Sequence, residues 1–293
     1  MPIARLIFEE GVELVAAVGG WRTVGSTEQL TFPSRDAIEA ALAPRRTVLV
    51  VDGRQDGSSL SLLLNRTTKE YYPLAVSSLT SGPLAAEHAF DILNIAYVLG
   101  AVGYHCTRLA ELYAGVVNQF ARMTRISGFG NETAASFGHQ AGPYYEFDAL
   151  LGAARRCYDS TRYLLWKKFG SKGTMPSSLA RLLASGPDLL PAPLFELLSD
   201  SWQNHGVALT AYRDCVHHYV PVDDVLASAS MLRMPSGIWT ARMRIPDNPE
   251  ARSRDRFKFA KNIDALTFCW VLADEILKVV RAVVAEVASH ADA

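Results

Sequence analysis

Residues 144–169 read YYEFDALLGAARRCYDSTRYLLWKKF, and this stretch decides the fold class. Phe147, Leu150, Leu151, Ala154, Tyr158, Thr161 and Leu165 recur at intervals of three and four. That spacing draws one apolar stripe along a 3.6-residue helix. Gly170 to Pro176 supplies the residues that end it. Before it, residues 84–123 show the same periodicity, interrupted only by Gly100, Gly103 and Gly115, and read as a first long helix. Residues 124–143 are rich in Gly, Ser, Thr and Asn and read as a loop.

Working outward, residues 177–184 suit a short helix, and the prolines of 187–193 make a break. Residues 194–217 read as a third helix. Pro221 disfavours helical geometry at Val220, so this helix is expected to end between His217 and Tyr219. Residues 222–253 look irregular. Residues 254–288 read as a last long helix, with Phe259, Ile263, Leu266, Trp270, Ala273, Leu277 and Val280 on one face. Its Asp274, Glu275, Lys278 and Arg281 mark a packed amphipathic helix and not a membrane span. The chain is therefore expected to be mainly α over residues 81–293, preceded by a small N-terminal α+β module over 1–80. In that module TVLVVD (47–52) and residues 58–64 flank a Gly/Asp turn and suggest a β-hairpin. Residues 34–43 carry an N-cap serine and a proline stop, as a short helix would.

Composition narrows the function classes. The 293 residues are 49% hydrophobic and 20% charged, ordinary for a globular protein, with a formal net charge of −1. No global attraction to nucleic acid follows, so any such site must be a local patch. Cys106, Cys157, Cys215 and Cys269 are widely spaced in apolar helical stretches, which suits buried free thiols better than a zinc site. The first residues lack a signal-peptide layout. Residues 89–106 look too short and too interrupted by Asp91 and Asn94 to span a bilayer. A cytoplasmic protein with no membrane role is the expectation.

The residues that carry chemistry are 212–219, YRDCVHHY, followed by Val220 and Pro221. Arg213 holds a permanent cation, and His217 and His218 are of the one residue type whose ordinary charge change lies near neutrality. Cleaving RNA without a metal needs a base for the ribose 2′-OH proton and a cation where charge builds on the phosphate. Helix geometry sets Arg213 beside His217, and His218 about 140° away unless the helix unwinds before Pro221. The bland alternative pairs Arg213 with a carboxylate on a solvated face and has both imidazoles cap the helix C-terminus.

This stretch resembles the HEPN superfamily, helical domains that include many metal-independent RNA endonucleases. Their motif is an Arg, four to six residues, then a His, often with a polar residue after the Arg. Arg213-Asp214-Cys215-Val216-His217-His218 fits with four intervening residues. The resemblance implies a HEPN-like helical bundle, with His218 as the family histidine, Arg213 as its arginine and Asp214 in the second place. It also implies an acidic residue on an earlier helix, for which Glu146 is the candidate. It further implies a homodimer with two motifs facing one cleft and a role as a toxin or anti-phage effector, with an antitoxin or regulatory partner protein. The resemblance covers about residues 144–221 and leaves 1–80 unexplained.

A second feature is the basic segment 242–261, with Arg242, Arg244, Arg252, Arg254, Arg256, Lys258 and Lys261 beside Trp239, Phe257 and Phe259. Cations interleaved with aromatics suit an RNA backbone and its bases, although a solvated loop has the same composition. His88 and His105 lie on apolar stretches and read as core or rim residues. Glu146 and Asp148, two apart, point to different helix faces and make a poor acid/base pair. Residues 128–139 are glycine-rich and lack a preceding strand, so no nucleotide loop is assigned. No cofactor and no metal is called for. The function expected from the sequence is a metal-independent endoribonuclease acting on RNA, with a non-catalytic helical binding or dimerisation module as the alternative.

Overall fold

The computed structural model describes residues 88–123, 132–135, 141–170, 173–222, 229–233, 239–261 and 263–289, together with five short strands before them. Those five are β1 (Arg5–Phe8), β2 (Glu13–Ala17), β3 (Gly20–Val24), β4 (Thr31–Phe32) and β5 (Thr47–Leu49). They pair antiparallel in the order β4-β3-β2-β1-β5. The run at 47–52 thus contributes a strand, and its partner here is β1, with Leu49 opposite Leu6. The expected helix at 34–43 and the second hairpin arm at 58–64 lie outside the described residues.

The rest is mainly α. Helix α1 (Ala89–Met123) and helix α2 (Gly142–Phe169) run antiparallel. Asp91 meets Lys167, Asn94 donates to Ser160, and His105 meets Glu146, so the start of one lies against the end of the other. Short helix α3 (Leu179–Ala184) follows, capped by the Ser178 hydroxyl, which accepts from the Arg181 N–H. Helix α4 (Ala192–Ser201) passes through a π-helical turn, Trp202–Gly206, directly into α5 (Val207–His218). Helix α6 (Ala265–Ser289) packs on α1, α2 and α4 and closes the core.

Why α2 sits at the centre follows from its stripe. All seven residues singled out from its periodicity, Phe147 to Leu165, are buried. Phe147 meets the rings of Tyr212 and Phe268 at 5.9 and 6.0 Å, so α2, α5 and α6 share one aromatic contact. Edge-on aromatic packing of this kind adds to what area burial contributes. The four cysteines are free and buried, and burial pushes the Cys106 thiol up to about 12.

Three expectations need correction. The last helix begins at Ala265, not at residue 254: residues 254–256 form a single 3-10 turn, and Phe259 and Ile263 precede the helix. Its start is set by Asp264, whose carboxylate accepts from the Thr267 N–H and hydroxyl, both at 3.0 Å. The stretches read as irregular also contain strands, β6 (Glu132–Ala135), β7 (Ala229–Arg233) and β8 (Trp239–Arg242), paired antiparallel in that order. Finally, α1 runs well past Cys106. Among the described residues its segment Ala89–Tyr113 is the one stretch long and apolar enough to cross a membrane, so the objection from length falls. Its polar ties to α2 and its buried Ile92, Ile95, Leu99 and Val102 belong to a helix packed within protein.

Candidate functional site

α5 buries Leu209, Tyr212 and Cys215, and this phase places Arg213, Asp214, His217 and His218 toward the surface. The helix stays regular through His218 and ends at Tyr219, whose N–H donates to the Cys215 carbonyl at 3.0 Å. Val220 donates to the same carbonyl at 3.1 Å, and Pro221 follows. Because the helix does not unwind early, Arg213 and His217 share one face, and His218 lies about 140° round the axis from Arg213. The structure thus does not bring Arg213 and His218 onto one face within a single chain.

Each member of the cluster already has company. Arg213 Nη1 donates to Asp214 Oδ1 at 2.9 Å. His217 Nε2 lies 3.1 Å from Asp148 Oδ1 on α2, at ion-pair distance for a protonated imidazole. The His217 and His218 rings are 6.5 Å apart, and the His218 and Tyr219 rings 6.4 Å. Both imidazoles sit in the last turn of α5, where the helix dipole favours positive charge.

Glu146 is engaged away from this cluster. It pairs with His105 on α1 at 2.8 Å, while Asp148, two residues on and on another face of α2, reaches His217. The α2 carboxylate in contact with α5 is therefore Asp148. This contact was invisible in the sequence, because only the docking of α5 on α2 selects that face.

The basic segment divides. Arg242 ends β8. Arg244 stacks its guanidinium 5.6 Å from the Phe259 ring, and its backbone carbonyl accepts from Tyr144. Arg254, Arg256 and Lys258 are exposed on an excursion clasped by Asn248, whose side chain donates to the Arg256 carbonyl and accepts from the Lys258 N–H. Arg252 folds back to the motif. Its guanidinium stacks on Tyr219 at 4.6 Å and donates to the Tyr219 hydroxyl at 2.8 Å. Its backbone is left-handed, φ 56° and ψ 22°, an uncommon conformation for a residue with a Cβ and one that clusters at functional sites. Tyr212 ties the same segment down by donating to the Pro246 carbonyl at 2.6 Å.

The π-helical turn is a feature that periodicity did not reveal. The Val207 N–H donates to the Trp202 carbonyl, five residues back. A Cβ on Gly206 would stand 2.4 Å from the Trp202 ring, so the indole lies directly on this glycine. Beside the turn is a depression of about 280 Å³, lined by Trp202, Val207, Thr210, Asp214, Glu250 and Arg252, among others. Among the described residues no group of three His, Cys, Asp or Glu side chains is placed to hold a metal ion. The chain matches no protein-family model, no curated protein and no solved structure.

Proposed function

We propose that this chain is a metal-independent endoribonuclease of HEPN type. The observation that carries the reading is the surface at the end of α5, where Arg213 and His217 share one helix face and Asp148 Oδ1 lies 3.1 Å from His217 Nε2. His217, on the Arg213 face, takes the base role. Its Nε2 lies 3.1 Å from Asp148 Oδ1, a neighbour that stabilises the imidazolium formed when the ring takes the ribose 2′-OH proton. The 2′-oxygen attacks phosphorus, the bond to the 5′-oxygen breaks, and a 2′,3′-cyclic phosphate forms. The leaving 5′-oxygen takes a proton from water. Arg213 stabilises charge on the non-bridging oxygens, and Asp214 orients the guanidinium. The resemblance assigns the base to His218 and implies a homodimer with two motifs facing one cleft, an arrangement that would let Arg213 of one copy approach His218 of the other.

The test is cleavage of RNA in EDTA by the intact protein, with Arg213→Ala, His217→Ala and His218→Ala compared at equal circular dichroism. Loss of cleavage in Arg213→Ala and His217→Ala supports the reading. Cleavage that survives both changes, or an unmodified protein that leaves RNA intact, removes it. A second reading, a non-catalytic dimerisation module, draws on one observation. Phe90, Leu93, Tyr97 and Tyr104 are exposed along one line of α1, with the exposed Gly100 between the two tyrosines. A chain that dimerises through this line and never cleaves RNA establishes that alternative.

A further inference from the structure

We infer that the depression beside the π-helical turn is a guanine-reading pocket. The inference rests on the ribonuclease reading and names the base that site selects. Three independent features meet there: the π-helical turn, the left-handed Arg252 and a concavity of about 280 Å³. The Trp202 indole, only 7% exposed and seated on Gly206, forms its apolar floor. Thr210 is internally committed, donating to the Gly206 carbonyl and accepting from Arg155. Asp214 is held by Arg213. Glu250 is exposed at the rim, where its carboxylate meets an incoming ligand. Arg252 spends one N–H on Tyr219 and keeps the others of its fork.

The chemistry of this lining selects one base. A carboxylate offers two acceptors side by side and no donor. Guanine presents two neighbouring donors, N1–H and the N2 amino group, and so satisfies Glu250 with both. Adenine and cytosine place a ring acceptor beside their single amino group, and uracil flanks its one N–H with two carbonyls; each sets a lone pair against the carboxylate. The remaining N–H groups of Arg252 suit guanine O6 and N7, the pairing an arginine fork makes with this base. Asp214 reaches both places, since it lines the depression and holds Arg213. The nucleotide adjoining the cleaved bond is thereby the one read.

The probes are dinucleotides GpU, IpU and ApU, each with a 2′-deoxy sugar at the scissile position so that they bind without being cut. Titration of the full chain should show GpU bound at least about tenfold more tightly than IpU, which lacks only the N2 amino group, or ApU. Glu250→Gln should erase that preference, because an amide places a donor against the donor pair of guanine. Arg252→Ala should weaken GpU and leave ApU little changed. Equal affinities for the three probes, or an unaltered preference in Glu250→Gln, overturn the pocket. The ribonuclease reading fails separately: a protein that prefers guanine and never cleaves RNA keeps the pocket and loses the nuclease, and indiscriminate cleavage does the reverse.

Discussion

Asp264 and Asp214 put the same carboxylate to opposite uses. Asp264 lies beneath the start of α6, where four donor contacts saturate it: Tyr113 at 2.9 Å, Met243 at 3.0 Å, and Thr267 twice at 3.0 Å. Tyr113 in turn accepts from the Leu266 N–H, so α1, α6 and the residue following β8 meet at one buried point. Asp214, about a third exposed, contacts its neighbour Arg213 and a solvent-open depression. Architecture consumes every lone pair of the first, whereas the second keeps capacity for a ligand. A satisfied buried network specifies a fold, and an incompletely committed surface group is where recognition chemistry is available.

Substitutions at the two ends test that contrast, beginning with the buried one. Asp264→Ala strands several buried donors and removes a helix cap, and should cost about 3–5 kcal/mol in chemical denaturation. Asp214→Ala should change stability by no more than about 1 kcal/mol. Comparable losses at both sites break the comparison. Burial raises the Asp264 pKa despite its donors, so the folded state holds this proton more tightly than the unfolded chain. Its contribution to stability therefore falls as pH rises from the ordinary carboxylate range through the raised value, and Asp264→Asn should flatten that segment of the stability–pH profile. At the surface end, His217→Ala should lower RNA cleavage by about 10²–10⁴-fold in single-turnover assays while leaving the melting temperature in place. Gly206→Ala, which drives a methyl into the Trp202 indole, should cost about 1–3 kcal/mol in thermal melts. Arg252→Ala removes a stacking contact at the surface and should cost about 0.5–1 kcal/mol.

Long apolar stripes were legible in the sequence because periodicity is local. The α2 stripe is buried in full, and the end of α5 lies where Pro221 requires it. The start of α6 was misjudged because the charges of residues 254–261 imitate a solvated helix face. Asp264, followed three residues later by Thr267, is the true signal, and its capping bonds explain the boundary. The strands β6, β7 and β8 were missed for another reason. Ala229–Arg233 pairs with Glu132–Ala135, almost a hundred residues earlier, and nothing in ETAA announces such a partner. The same limit applies to the site. The motif at Arg213–His218 can be read from the chain, but that Asp148 contacts His217 while Glu146 contacts His105 exists only after the helices dock.

The turn at Trp202–Gly206 governs the direction in which this surface faces. A π-helical turn holds one residue more than the α-helix needs, so everything beyond it is rotated by about 100°. Loss of a single codon there would restore an uninterrupted helix and swing the histidines and arginine off their present bearing without altering any of them. The presence of one extra residue at this point is thus enough to set which way the charged end of the helix looks.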